Sequence, residues 1–168
     1  DLLLRAFALA ATAEPRLTLA LAGGDTLGGH HARLAAELGI GPRVTFLGHV
    51  PHERLPEVLR GAAMHVLTSL HDAGPLAVLE AAACGVPTVG TEVGHVADLA
   101  LLEPPAARVV PDRAPATLAA AMLDMLFEPR RDAIAVAAQR WAAAHDAAFT
   151  ASAFEMLYRR LTARSAST

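Results

Sequence analysis

The feature that most constrains this chain is a repeated unit, a short apolar run closed by glycine or a polar loop and followed by a helical stretch. Residues 17–22 run apolar into Gly23-Gly24-Asp25, 43–47 end at Gly48, 63–68 enter a loop around Asp72, and shorter runs follow at 88–90 and 107–110. The first of these, 17–22, is continuous enough to predict a buried parallel strand, since strands covered on both faces lose the polar alternation of a half-exposed sheet. The stretches between them, 26–38, 51–59, 75–83 and 95–101, carry helical spacing, as does 2–12 at the start. After Pro115 only helices are predicted, over 116–127, 131–144 and 150–161, with a frayed tail at 163–168. Strands alternating with helices predict an α/β fold, a parallel sheet of five to six strands with helices on both faces. The recurring unit is one of pattern and not of sequence, and a chain of 168 residues with no long linker and no internal sequence repeat is expected to form one domain over 1–168.

Composition narrows the chemistry. Alanine contributes 39 residues, which suits helices packed close together. All 14 basic residues are arginine, so lysine Schiff-base and phosphate-loop lysine chemistry are excluded within this stretch. The formal charge of -3 offers no general attraction to nucleic acid. Cys84 is the single cysteine and has no internal partner, so a reducing, cytoplasmic setting is expected. No uninterrupted apolar run reaches the ~18 residues of a transmembrane helix. Asp1 opens directly onto a helical pattern without an initiator methionine, so the chain is expected to be a piece of a longer protein.

In a parallel sheet the loops after the strands share one edge, which brings Gly23, Gly24, Gly48, the 72–74 loop and Gly94 to one crevice. The run Gly23-Gly24-Asp25-Thr26-Leu27-Gly28-Gly29 is neither a dinucleotide fingerprint nor a Walker loop. It reads either as an ordinary strand-to-helix turn or as a place where backbone approaches a phosphate. The eight histidines have no compact ligand spacing, so no metal site is expected, and His65, within a strand, reads as a buried structural imidazole. Two carboxylates stand out. Asp72 reads either as a cap near the helix that Pro75 opens or as a ligand contact. Glu80 stands in the apolar run from Ala77 to Ala83, where a carboxylate needs a partner or a ligand hydroxyl.

The stretch 69–94 resembles the signature of the retaining GT-B glycosyltransferases of the large family four group. The matching residues are Ser69, Asp72, Gly74, Pro75, Leu76, Glu80, Ala81, Ala83, Gly85, Pro87, Thr91 and Gly94, and similarity continues through 44–69 and 17–25 to cover roughly 1–160. The resemblance implies the C-terminal, Rossmann-like half of a two-domain fold. That half binds a nucleotide-sugar donor, a UDP- or GDP-sugar, which serves as substrate with no permanently bound cofactor. By position, Glu80 would accept from the donor ribose hydroxyls, and Asp72 would position the donor sugar. The backbone of Ala73, Gly74, Pro75 and Leu76 would meet the diphosphate and sugar, Gly23 and Gly24 the phosphates, and Gly48, His49 and Val50 the base. Gly94 and His95 stand where the family has a pair of glycines, and Asp72 where it has glutamate.

Further expectations follow from the resemblance. The family's diphosphate-clamping Arg and Lys precede Asp1. An N-terminal acceptor domain would be the partner, with peripheral contact at the inner face of the membrane through that other half. Retention is attributed in the family to front-face attack without a protein nucleophile, so catalysis would rest on stabilising the departing nucleoside diphosphate. The isolated domain is expected to bind nucleotide weakly and turn over nothing. Alternatives that share the fold are a sugar-nucleotide epimerase and a non-catalytic binding module.

Overall fold

The computed structural model describes residues 1–24 and 26–165. Helix α1 (Leu2–Ala13) leads into β1 (Leu19–Ala22), α2 (His30–Glu37), β2 (Val44–Gly48), α3 (Leu55–Arg60) and β3 (His65–Leu67). Then come α4 (Leu76–Ala83), β4 (Thr88–Thr91), α5 (His95–Ala100) and β5 (Ala107–Val110), and the helices α6 (Pro115–Leu126), α7 (Arg131–Ala144) and α8 (Ala147–Ser165).

All described strand pairs are parallel, as the alternation of strands and helices predicts, but the expectation of a buried first strand is corrected: β1 has no buried residue and β2 only Val44, with Phe46 and Leu47 exposed. The α/β class with parallel strands and flanking helices holds, but the expected single sheet of five to six strands is divided into two hydrogen-bonded groups of five described strands in all, β1-β2 and β3-β4-β5. Strands β1 and β3 both line a cleft of 810 Å³ and are not paired across it. The two strands meet through side chains instead, since Leu19 and Leu21 of β1 and Met64 and Val66 at β3 pack against the same core.

Helices cover both faces of β3-β4-β5. On one face Leu4 and Phe7 of α1 pack with Leu118, Met122 and Met125 of α6, over Val89 and Val110. On the other, Val78, Val96 and Leu99 pack with Ile134 and Trp141 of α7 over Ala107. Alternate residues of β5 divide between the two cores, as a strand buried on both sides requires. Ala6, Ala10 and Ala119 on one face and Ala81, Ala82 and Ala138 on the other are fully or nearly fully buried, so the alanine content brings helices close together.

Three local expectations shift. Helix α2 starts at His30 and not at 26, because Gly28 and Gly29 take positive φ angles of 57° and 78°. The predicted helix over 51–59 begins with a single 3₁₀ turn at His52–Arg54, and α3 starts only at Leu55. Helix α8 starts earlier than 150, where Asp146 Oδ1 accepts from Phe149 N at 2.8 Å and caps its first turn. It also continues to Ser165, past the expected start of fraying at 163, and residues 166–168 lie outside the described residues. Its Phe149, Phe154, Met156, Leu157 and Tyr158 are exposed.

Candidate functional site

Within each strand group, hydrogen bonds fix the carboxyl ends. Gly23 N donates to Gly48 O at 2.8 Å, linking the exits of β1 and β2. Gly48 has a φ of 64°, so the chain can turn sharply there and leave its carbonyl facing Gly23. Across the cleft, Thr91 Oγ1 donates to Ser69 O at 2.6 Å and Arg113 Nη1 to Thr68 O at 3.0 Å, fixing the exits of β3 and β4. Gly24 and His49 are exposed beside these exits, Val50 is half-buried, and Asp25 lies outside the described residues.

The loop between β3 and α4 rests on the turn before α5. A β-carbon at Gly94 would come within 2.8 Å of both Ala73 O and Pro75 Cδ, so the two backbones are in direct contact and only glycine fits between them. His95 follows, with its Nε2 3.3 Å from where a β-carbon of Gly74 would stand. Asp72 is exposed, and its Oδ1 accepts from Gly74 N at 3.2 Å. Its carboxylate therefore stabilises the loop turn and does not cap α4. Pro75 is buried at the head of α4, and Leu76 is 69% exposed next to it.

Glu80 projects from α4 with Val78, Ala81 and Ala82 buried beside it. Its side chain is 28% exposed and lines the cleft, and its Oε1 lies 3.4 Å from Nδ1 of His52. His52 comes from the 3₁₀ turn after β2, so this contact links the two strand groups at their carboxyl edge. The carboxylate thus has a partner that is itself exposed, and one edge remains open to solvent and the cleft. His52 and Arg113 were missed in the sequence reading. No local spacing signals either, since each acts through a contact between residues 28 and 45 positions apart. Among the described residues no group of three or more His, Cys, Asp or Glu side chains is placed to hold a metal ion.

His65 is largely shielded from water within β3. Burial pushes its imidazole down from the usual 6.5 to about 4, and its Nδ1 lies 3.3 Å from Oγ1 of the fully buried Thr88. A ring held neutral in this way is a structural element of the sheet.

Residues 1–128 match the family described as glycosyl transferases group 1. The chain belongs to the group 1 glycosyltransferases. One relative of this glycosyltransferase chain is the D-inositol 3-phosphate glycosyltransferase of Thermomonospora curvata, 34% identical over 140 residues that span 78% of this chain and 32% of the relative. Another is the mannosylfructose-phosphate synthase of Agrobacterium fabrum, 34% identical over 54% of this chain and 22% of the relative. Among solved structures, sucrose-phosphate synthase of Thermosynechococcus elongatus superposes with a TM-score of 0.80 at 25% identity, covering 96% of this chain and 43% of the other. Anabaena HepE, solved in complex with UDP-glucose, shares the fold with a TM-score of 0.72 at 23% identity, over 84% of this chain and 39% of the other. The chain thus spans between about a fifth and under a half of the length of these proteins. Among the described residues, no helix of this group 1 chain is long and apolar enough to cross a membrane.

Proposed function

We propose that this chain is the donor-binding domain of a retaining glycosyltransferase, holding a UDP- or GDP-sugar whose sugar passes to an acceptor bound by a second domain. The observation that carries the reading is Glu80. It is a carboxylate on an otherwise apolar helix, at the carboxyl edge of a parallel sheet, with one side against His52 and the other open to the cleft. A carboxylate there can accept from two neighbouring hydroxyls, the pattern that a ribose offers.

The remaining parts fit the same ligand. The backbone of Gly24 and the N-terminus of α4 beyond Pro75 offer N–H groups and a positive dipole end to the diphosphate, while Gly23, whose N–H is held by Gly48 O, leaves the approach free of a side chain. The exits of β2 at Gly48, His49 and Val50 supply backbone and apolar surface for the base. The 72–75 loop with Gly94 and His95 flanks the donor sugar. The chemical demand is charge on the departing nucleoside diphosphate, which fixed N–H groups and basic side chains stabilise as it develops. Asp72, turned onto its own loop, serves to position the sugar.

The exposed apolar residues of α8 would pack against the second domain. The setting is cytoplasmic, with the inner membrane face reached through the rest of the protein. Calorimetric titration of UDP and GDP into this chain tests the reading. One of them binds in the micromolar to millimolar range, and Glu80→Ala lowers its affinity by about ten-fold or more, the loss of hydrogen bonds to a charged acceptor. Equal binding by Glu80→Ala and the unaltered chain would remove the ribose role.

A further inference from the structure

The turn at Gly94 and His95 carries a structural device that the donor-site reading does not explain. The imidazole of His95 is fixed from three sides. Its Nδ1 lies 3.3 Å from Asp98 Oδ2, which as a carboxylate can only accept, so Nδ1 carries the hydrogen. Its flank meets the indole of Trp141 edge-on, with ring centroids 5.2 Å apart at 67°. Its Nε2 edge fills the space beneath Gly74, 3.3 Å from the position a β-carbon would take.

Trp141 is held in turn. It stacks on His145 at 4.3 Å and 22°, and His145 Nδ1 donates to Trp141 O at 2.7 Å. The indole is 9% exposed and closes the core between α4, α5 and α7. The ring of His95 is therefore a wedge with a rigid backing, and the 72–75 loop lies on its far side. Gly74 lacks a side chain where the wedge enters, and Gly94 lacks one where the loop backbone presses down. Loop and turn are complementary surfaces that must shift together.

We infer that His95 is a positioning residue that sets the 72–75 loop against the donor sugar, through a ring clamped by Asp98 and Trp141. The inference rests on the proposed donor site and deepens it. The nucleoside is met by Glu80 and the glycine turns of β1 and β2, away from the wedge, and the diphosphate by the N-terminus of α4, which the buried Pro75 anchors independently of the His95 ring. The sugar is met by the loop that the wedge supports. His95 therefore governs the increment in affinity that the sugar adds to the nucleoside diphosphate.

The test compares UDP with UDP-glucose and GDP with GDP-mannose, using His95→Ala, and Asp98→Asn as a second variant at an exposed position where folding is not at risk. For the base that binds, both variants should hold the nucleoside diphosphate within about two-fold of the unaltered chain and weaken the sugar nucleotide by about five-fold or more. Trp141, the single tryptophan, supplies a second readout. Its emission should change with the sugar nucleotide and not with the nucleoside diphosphate, and His95→Ala should abolish the change. Equal weakening of both ligands means a general structural role and overturns the inference, as does no weakening of either. Binding of neither ligand by the unaltered chain overturns this inference and the donor-site reading together.

Discussion

Lowering the pH should unlock the sheet at His65, and the size of the effect follows from its burial. In the unfolded chain the imidazole takes a proton near pH 6.5, whereas in the folded strand it does so only near 4. Between these values the unfolded state binds more protons, so stability falls as pH falls through the window. Each pH unit below 6.5 costs up to about 1.4 kcal/mol, which amounts to at most about 2 kcal/mol at pH 5. The replacement His65→Asn keeps a hydrogen-bonding atom close to the place of Nδ1, within reach of Thr88 Oγ1, and does not titrate. Urea unfolding of both proteins at about pH 7, 6 and 5 measures the difference. The stability gap between them should change by about 2 kcal/mol from pH 7 to 5, in favour of the variant. Parallel pH profiles would refute the buried, neutral imidazole.

Two other perturbations bear on the fold and the site. Gly94 has φ 41° and ψ -128°, and a β-carbon would press on Ala73 O and Pro75 Cδ, so Gly94→Ala should destabilise by about 2 kcal/mol or more; a variant with unchanged urea midpoint would contradict the close approach. Glu128 is 8% exposed, and hydrogen bonding from Arg130, with Arg108 Nη2 at 2.8 Å on its other oxygen, holds its carboxyl below the usual range. Its contribution is complete above the ordinary glutamate value of 4.5 and is lost as pH falls through its lowered folded value. Glu128→Gln should therefore lower the melting temperature near neutral pH and flatten its fall below about pH 4.5, and a melting curve with an unaltered acid limb would exclude this ion pair as the cause.

Local features were legible in the sequence where a segment's own residues decide its state. The boundaries of β5 and α7 are those expected, because Pro111 and Pro129 bracket them and nothing inside interrupts the pattern. Helix α2 failed at its start because two left-handed glycines resemble the flexible first residues of a helix until their dihedral angles are known. The split of the sheet was not legible. Pairing between β1 and β3 depends on side chains from segments more than 40 residues apart, and apolar character alone predicts a strand without choosing its neighbour. In the site, the candidate glycines and Glu80 could be read from loop chemistry and from an acid among alanines. The placement of His52 beside Glu80 and of His95 beneath Gly74 could not, because each depends on how two loops from different strands meet.

The central claim, that the carboxyl edge of this sheet holds a nucleotide-sugar donor, is tested most directly by mapping backbone amide shifts as UDP or GDP is titrated into the chain. The account predicts that one of them moves the amides of Gly24, Gly48 and Glu80 together, while its sugar nucleotide moves Gly74 and His95 as well. Shifts confined to another part of the surface, or none for either nucleotide up to about 10 mM, an affinity below ~3 kcal/mol, would contradict it.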